Sequence, residues 1–162
     1  MSQIIMIHDM SQPNHAGNII ISLASLPDFL RKPILKKRME EFFSMNSPDR
    51  QEIINNALEA GPTIPFPNFS KLFATWLDIL ATISEEKRIM MFTAYISEIT
   101  KNPQKLVLFN LDGILEIFLS LDKSKQDTIS GSIRNIILTL SEEGKKRLFL
   151  IMPQSAKARL GI

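Results

Sequence analysis

There is no cysteine anywhere in the 162 residues. Disulfides, thiolate metal sites, cysteine nucleophiles and cysteine-held iron–sulfur clusters are therefore excluded. Histidine is almost missing too. His8 and His15 are the only imidazoles, and with Asp9 they match no metal-ligand spacing. The six glycines are scattered. None falls into GxGxxG or GxxxxGK, so no loop is set up to cradle a phosphate. HExxH and GxSxG are absent as well. Long apolar runs are also lacking. The greasiest stretches, residues 106–121 and 133–140, are interrupted by Asp112, Glu116 and Arg134. They fall short of the roughly 18 to 20 apolar residues that span a bilayer, so no membrane insertion is expected. The first eighteen residues hold Asp9, Pro13 and Asn14 and no basic head before an apolar run. That is unlike a secretory signal, and the cytoplasm is the expected location.

No sign of charge dominates. The 19 basic and 17 acidic side chains leave a net charge of +2. A dedicated nucleic-acid binder more often carries a clear basic excess. The paired acids Glu40-Glu41, Glu85-Glu86 and Glu142-Glu143 are sequence neighbours. On a helix, neighbours point apart, which makes them poor partners for general acid–base work. Glu85 and Glu142 instead suit the positive end of a helix. No catalytic residue, metal site or cofactor is expected, and the protein reads as a non-enzyme.

What is present is helical periodicity on a globular composition, 44% hydrophobic and 22% charged. Pro27 and Asp28 open a segment in which Phe29, Leu30, Ile34, Leu35, Met39, Phe42 and Phe43 recur at helical spacing. Pro33 either kinks that helix or starts a new one. Ser47-Pro48-Asp49 is a cap, a first-turn proline and an acid. Three prolines in residues 61–67 predict an extended linker before a helix from about Asn68. Ser84-Glu85-Glu86 opens the next helix, and Asn102-Pro103 begins one running to about Ser120. Further helices are expected from Asp122 to Leu140 and from Ser141, with Pro153 stopping or bending the last. Residues 1–26 are poorly defined: 19–24 fit a short strand or the start of a helix equally, and a flexible or loosely docked N-terminus is expected.

The chain resembles itself at a shift of 38 residues. Met45-Asn46-Ser47-Pro48-Asp49-Arg50 aligns with Ile83-Ser84-Glu85-Glu86-Lys87-Arg88, and that with Leu121-Asp122-Lys123-Ser124-Lys125-Gln126. Half the shift reaches Leu140-Ser141-Glu142-Glu143-Gly144-Lys145. A two-helix unit cannot bury its apolar face alone, so such units stack. The expected fold is all-α: about six to seven helices, as antiparallel hairpins in an irregular α-solenoid or an orthogonal bundle. Residues 27–162 form the helical domain, with 38-residue two-helix repeats. Ile83-Ser84-Glu85-Glu86, Leu140-Ser141-Glu142-Glu143 and Ile151-Met152-Pro153 faintly resemble the turns in the superhelical repeats of magnesium-transporter cytosolic domains and the flagellar motor switch protein. The resemblance covers about half the chain, and the long helices expected here depart from that pattern.

Two kinds of candidate binding residue stand out. Pro65, Phe66, Phe69, Phe73 and Trp76 place aromatics on one helix face after the prolines. They read first as core and alternatively as a docking surface for a protein. Arg31, Lys32, Lys36, Lys37 and Arg38 form one basic cluster, and Lys145, Lys146, Arg147, Lys157 and Arg159 a second. They read as solvated faces, or as phosphate or nucleic-acid contacts if they converge. The leading functional expectation is a protein–protein interaction scaffold with an unidentified protein partner, or a homo-oligomer. The alternatives are nucleic-acid binding through the basic clusters and small-molecule or lipid binding between helices.

Overall fold

The computed structural model describes residues 15–161, which hold nine α-helices and, among the described residues, no strand. In chain order they are α1 (His15–Ala24), α2 (Asp28–Phe43), α3 (Ser47–Ala60), α4 (Phe66–Thr82), α5 (Glu85–Lys101), α6 (Leu111–Leu119), α7 (Lys123–Thr139), α8 (Glu142–Ile151) and α9 (Gln154–Leu160). Short 3-10 turns at Gly61–Thr63 and Pro103–Leu106 precede α4 and α6. The all-α class is as expected, and the helices outnumber the six to seven read from the sequence.

The extra helices and shifted bounds have local causes. Residues 19–24 belong to α1, and Leu23 and Ala24 are buried at 3% and 1% exposure. The N-terminal segment is thus docked from α1 onward, while His8 and the rest of residues 1–14 lie outside the described residues. Pro33 sits inside an unbroken α2. Phe29, whose carbonyl it leaves without an amide, is on the exposed face, where water can replace that bond. The proline-rich linker is shorter than expected: α4 starts at Phe66 and takes Pro67 into its first turn. The helix expected to follow Asn102-Pro103 starts instead at Leu111, after the 3-10 turn. There the Asn110 side chain accepts from the Gly113 amide at 2.9 Å. Beyond Pro153 the chain forms α9, which ends at Gly161 with φ 74°, the left-handed conformation glycine adopts freely.

Helix starts recur at the aligned positions. Asn46, Ser84 and Asp122 each accept from the amide three residues on, at 3.0, 3.3 and 2.9 Å, and Ser141 does the same at 3.0 Å. Each satisfies an amide that has no partner within its helix. The cap of α3 is Asn46, one residue before the serine read from the sequence.

A second device recurs four residues after the cap. Arg88 is only 6% exposed, and its Nε and Nη2 donate to the Leu80 and Ile83 carbonyls, both at 3.0 Å. Those oxygens lie at the C-terminal end of α4, where no further helical amide follows. Gln126 does the same for α6, donating to Leu119 at 3.0 Å and Leu121 at 2.7 Å. Arg31, 3% exposed, donates to the Leu23 carbonyl at 3.1 Å and to that of Leu26 after α1. Each side chain ties the first turn of one helix to the frayed end of the helix before it. A guanidinium there also meets the negative end of the helix dipole.

The helices pack with a stride of two. α1 lies on α3, α3 on α5, α5 on α7 and α7 on α9; α2 lies on α4 and α4 on α6. Contacts of α4 with α7 and of α5 with α8 tie the two rows together. Leu80, Ile129, Ile54, Ile79 and Ile137 are at most 1% exposed. Each such side chain contributes about 1.5–3 kcal/mol by leaving water.

Candidate functional site

The aromatic residues after the prolines do not form one open face. They run as a ladder along α4: Phe66 to Phe69 at 6.0 Å between centroids, Phe69 to Phe73 at 5.5 Å, Phe73 to Trp76 at 5.5 Å. Trp76 then meets Tyr95 and Phe92 of α5 edge-on at 5.3 and 5.7 Å. Phe69 is buried, Phe73 and Trp76 are half-buried, and only Pro65 and Phe66 remain exposed. The Phe66 ring rests against α6 where Gly113 has no Cβ; a methyl group there would collide with it. Desolvation at Tyr95 pushes its phenol well above the usual value, so the hydroxyl stays neutral.

Phe73 and Trp76 instead form part of the wall of a cavity of about 230 Å³, open to solvent on one side and lined by α4 to α9. Phe118 and Ile114 of α6, Ile133 of α7 and Met152 complete much of its lining. Among the described residues that line it, Arg159 is the sole ionisable one, and Ser130 is the sole hydroxyl.

The basic clusters are dispersed. Arg31 is buried and spent on carbonyls and on Asp28, at 2.5 Å, so it is withdrawn from any phosphate-binding face. That guanidinium holds the Asp28 carboxyl below its usual range. Lys32 pairs with Asp78 at 2.6 Å. Arg38 reaches Glu41 at 3.4 Å. Lys36 and Lys37 are exposed and, among the described residues, unpaired. In the second cluster Lys145 pairs with Glu142 at 3.5 Å and Arg147 with Glu143 at 3.0 Å. Lys157 lies over the Phe149 ring at 5.5 Å. Lys146 and Arg159 are exposed. α2 packs on α1, α4 and α5, whereas α8 packs on α5 and α9 on α7. Among the described residues no extensive helix contact brings the two clusters onto one surface.

The sequence reading overlooked what surrounds the first cluster. Phe29 is 76% exposed, Leu30 40% and Ile34 38%, and Pro33 between them is exposed too. At spacings of three and four these side chains adjoin on one face of α2, and Lys36, Lys37 and Arg38 continue it toward the C-terminal end. The signal was present: Arg31, Leu35, Met39 and Phe42 already supply the inward stripe, which leaves Phe29, Leu30 and Ile34 to the other side.

Asp78 joins three helices. It pairs with Lys32 of α2 and with Lys125 of α7. The hydrogen bond from Lys125, then that from Lys32, lowers the Asp78 pKa, and Asp78 in turn raises that of Lys125. Between α3 and α5, Asn55 donates to the buried Glu98 at 3.1 Å and accepts from Lys105, while Lys101 reaches Glu98 at 3.4 Å. Every group in that network is satisfied, which suits a structural role.

No family model, no curated protein and no solved structure matches the chain. No group of three or more His, Asp or Glu positioned to hold a metal occurs among the described residues. No helix described is long and apolar enough to cross a membrane.

Proposed function

We propose that this protein is a non-catalytic helical scaffold, built of stacked two-helix units, that binds another protein through the outer face of α2. One observation carries the reading: Phe29, Leu30 and Ile34 stand in solvent together, beside Lys36 and Lys37, which have no ion pair among the described residues. Scattered apolar side chains on a surface are ordinary, but an adjoining strip rimmed by charge is the pattern of an interaction site. The chemistry fits a partner with apolar anchors flanked by acidic side chains. The stride-of-two packing and the repeated caps at 38-residue intervals support the stacked-unit part of the reading. Nucleic-acid binding has less support, because Arg31 is buried and the other cations of the two clusters lie toward opposite ends of the chain.

The test is affinity capture from a native extract with the tagged protein and with a Phe29→Ser/Ile34→Ser variant, each with and without nuclease. The reading expects a stoichiometric protein that survives nuclease and is lost with the variant. Material lost on nuclease treatment from both baits overturns it in favour of nucleic acid. Retention of the same protein by the variant places the interface elsewhere. A mass by light scattering that falls from dimer to monomer with the variant identifies the partner as a second copy.

A further inference from the structure

We infer that the open cavity lined by α4 to α9 is a binding site for a small amphipathic anion, with a medium-chain carboxylate its simplest representative. Protein interiors leave few voids larger than a water molecule. An apolar cavity of about 150 Å³ already accepts benzene, so about 230 Å³ has room for one ring or a short acyl chain. The walls are aromatic and aliphatic, with Phe73, Trp76, Phe118 and Ile133 among them. A site of this kind takes the hydrocarbon part of a ligand and orients it by a few polar groups.

Two polar side chains border it. Arg159 is exposed and has no ion pair among the described residues, and no acidic side chain lines the cavity beside it. Its charge selects an anionic head over a neutral or cationic one. Ser130 is only 8% exposed and lines the same cavity. Three other hydroxyls of α7 donate to carbonyls within the helix: Thr128 to Ser124 at 3.0 Å, Ser132 to Thr128 at 3.2 Å, and Thr139 to Ile136 at 2.7 Å. Ser130 has no such partner among the described residues. Among the described residues no side-chain polar atom fully shut from solvent lacks a partner, so the Ser130 oxygen is open to solvent and free to meet a ligand. The inference does not rest on the α2 interface, and either can fail alone.

The probe is sodium octanoate, with octanol and octylammonium as head-group controls. Trp76, the sole tryptophan, lies in the wall and reports occupancy by its fluorescence, with calorimetry as the second readout. Octanoate is expected to saturate at one equivalent and to bind about tenfold tighter than octanol. Arg159→Gln brings octanoate to the octanol level and leaves octanol unchanged. Lys146→Gln, an exposed cation that does not line the cavity, alters neither. The inference is overturned if octanoate gives no saturable signal below its micelle-forming concentration. It is equally overturned if octylammonium binds as tightly as octanoate, or if the Arg159 variant binds octanoate like the wild type.

Discussion

Replacing Arg88 with methionine keeps most of the side-chain volume and removes both donors. The Leu80 and Ile83 carbonyls each then lose a charged donor at 3.0 Å. Hydrogen bonds of that kind contribute about 1.5–3 kcal/mol each, or about 3–6 kcal/mol gross for the pair. Two effects offset part of this. The guanidinium is 6% exposed and has no carboxylate partner among the described residues, so its desolvation cost disappears with it. Ile83 is half-buried, and water can reach its carbonyl. The expected net loss is about 2–4 kcal/mol, a fall in Tm of about 5–15 °C for a chain of this size. Urea unfolding followed by far-UV circular dichroism and by Trp76 fluorescence measures it. Lys146→Met, at an exposed site with no ion pair among the described residues, is the control and stays within about 0.5 kcal/mol. A loss below about 0.5 kcal/mol in Arg88→Met, with an unchanged denaturant slope, would refute the claim that this side chain closes the end of α4.

Gln126→Leu removes the neutral version of the same clamp, bonds of 3.0 and 2.7 Å, and is expected to cost about 1–2 kcal/mol, less than Arg88→Met, in the same assay. Leu80→Ala empties a position with no exposed surface and should cost about 3–5 kcal/mol in urea unfolding; a loss under 1 kcal/mol would mean the core is not centred there. Asp78→Asn breaks the link among α2, α4 and α7 at a cost of about 1 kcal/mol at pH 7. Because the folded Asp78 pKa lies below its usual 3.8, that contribution is fully present above pH 3.8 and is lost as the pH falls through the folded value. Urea midpoints of the wild type and the variant should therefore converge as the pH falls from 3.8 through the folded value, and a gap that does not shrink over that descent would contradict the ion-pair account.

The helices were legible because each announces itself twice, by an inward stripe and by a cap. Ser84-Glu85-Glu86 and Ser141-Glu142-Glu143 are polar starts that no strand would share. Boundaries near proline were less legible. Proline is compatible both with a 3-10 turn and with a first helical turn, so residues 61–67 and 103–110 could not be divided correctly from sequence. The buried clamps were hidden by their chemistry. Arg31 counted as part of a basic cluster, yet the fourth position after a cap points back at the preceding helix end, and its charge is consumed there. The aromatic face was visible as a stripe, but periodicity does not say whether a stripe meets a neighbour, solvent or a cavity. Phe73 and Trp76 line a cavity because α6, α8 and α9 close over them, which is long-range information. Conversely, the exposed strip on α2 was concealed because its apolar residues all recur at helical spacing. With apolar side chains on two opposed faces, a helix has no single greasy side for its spacing to reveal.

The claim that the outer face of α2 is where another protein binds is tested most directly by calorimetric titration. The captured partner, once purified, is titrated into the wild type and into Phe29→Ser/Ile34→Ser, after circular dichroism has shown both to be folded. The account predicts at least a tenfold weaker Kd for the variant and a smaller negative heat-capacity change, since less apolar surface is buried. Equal affinity and equal heat-capacity change in the two proteins would contradict it.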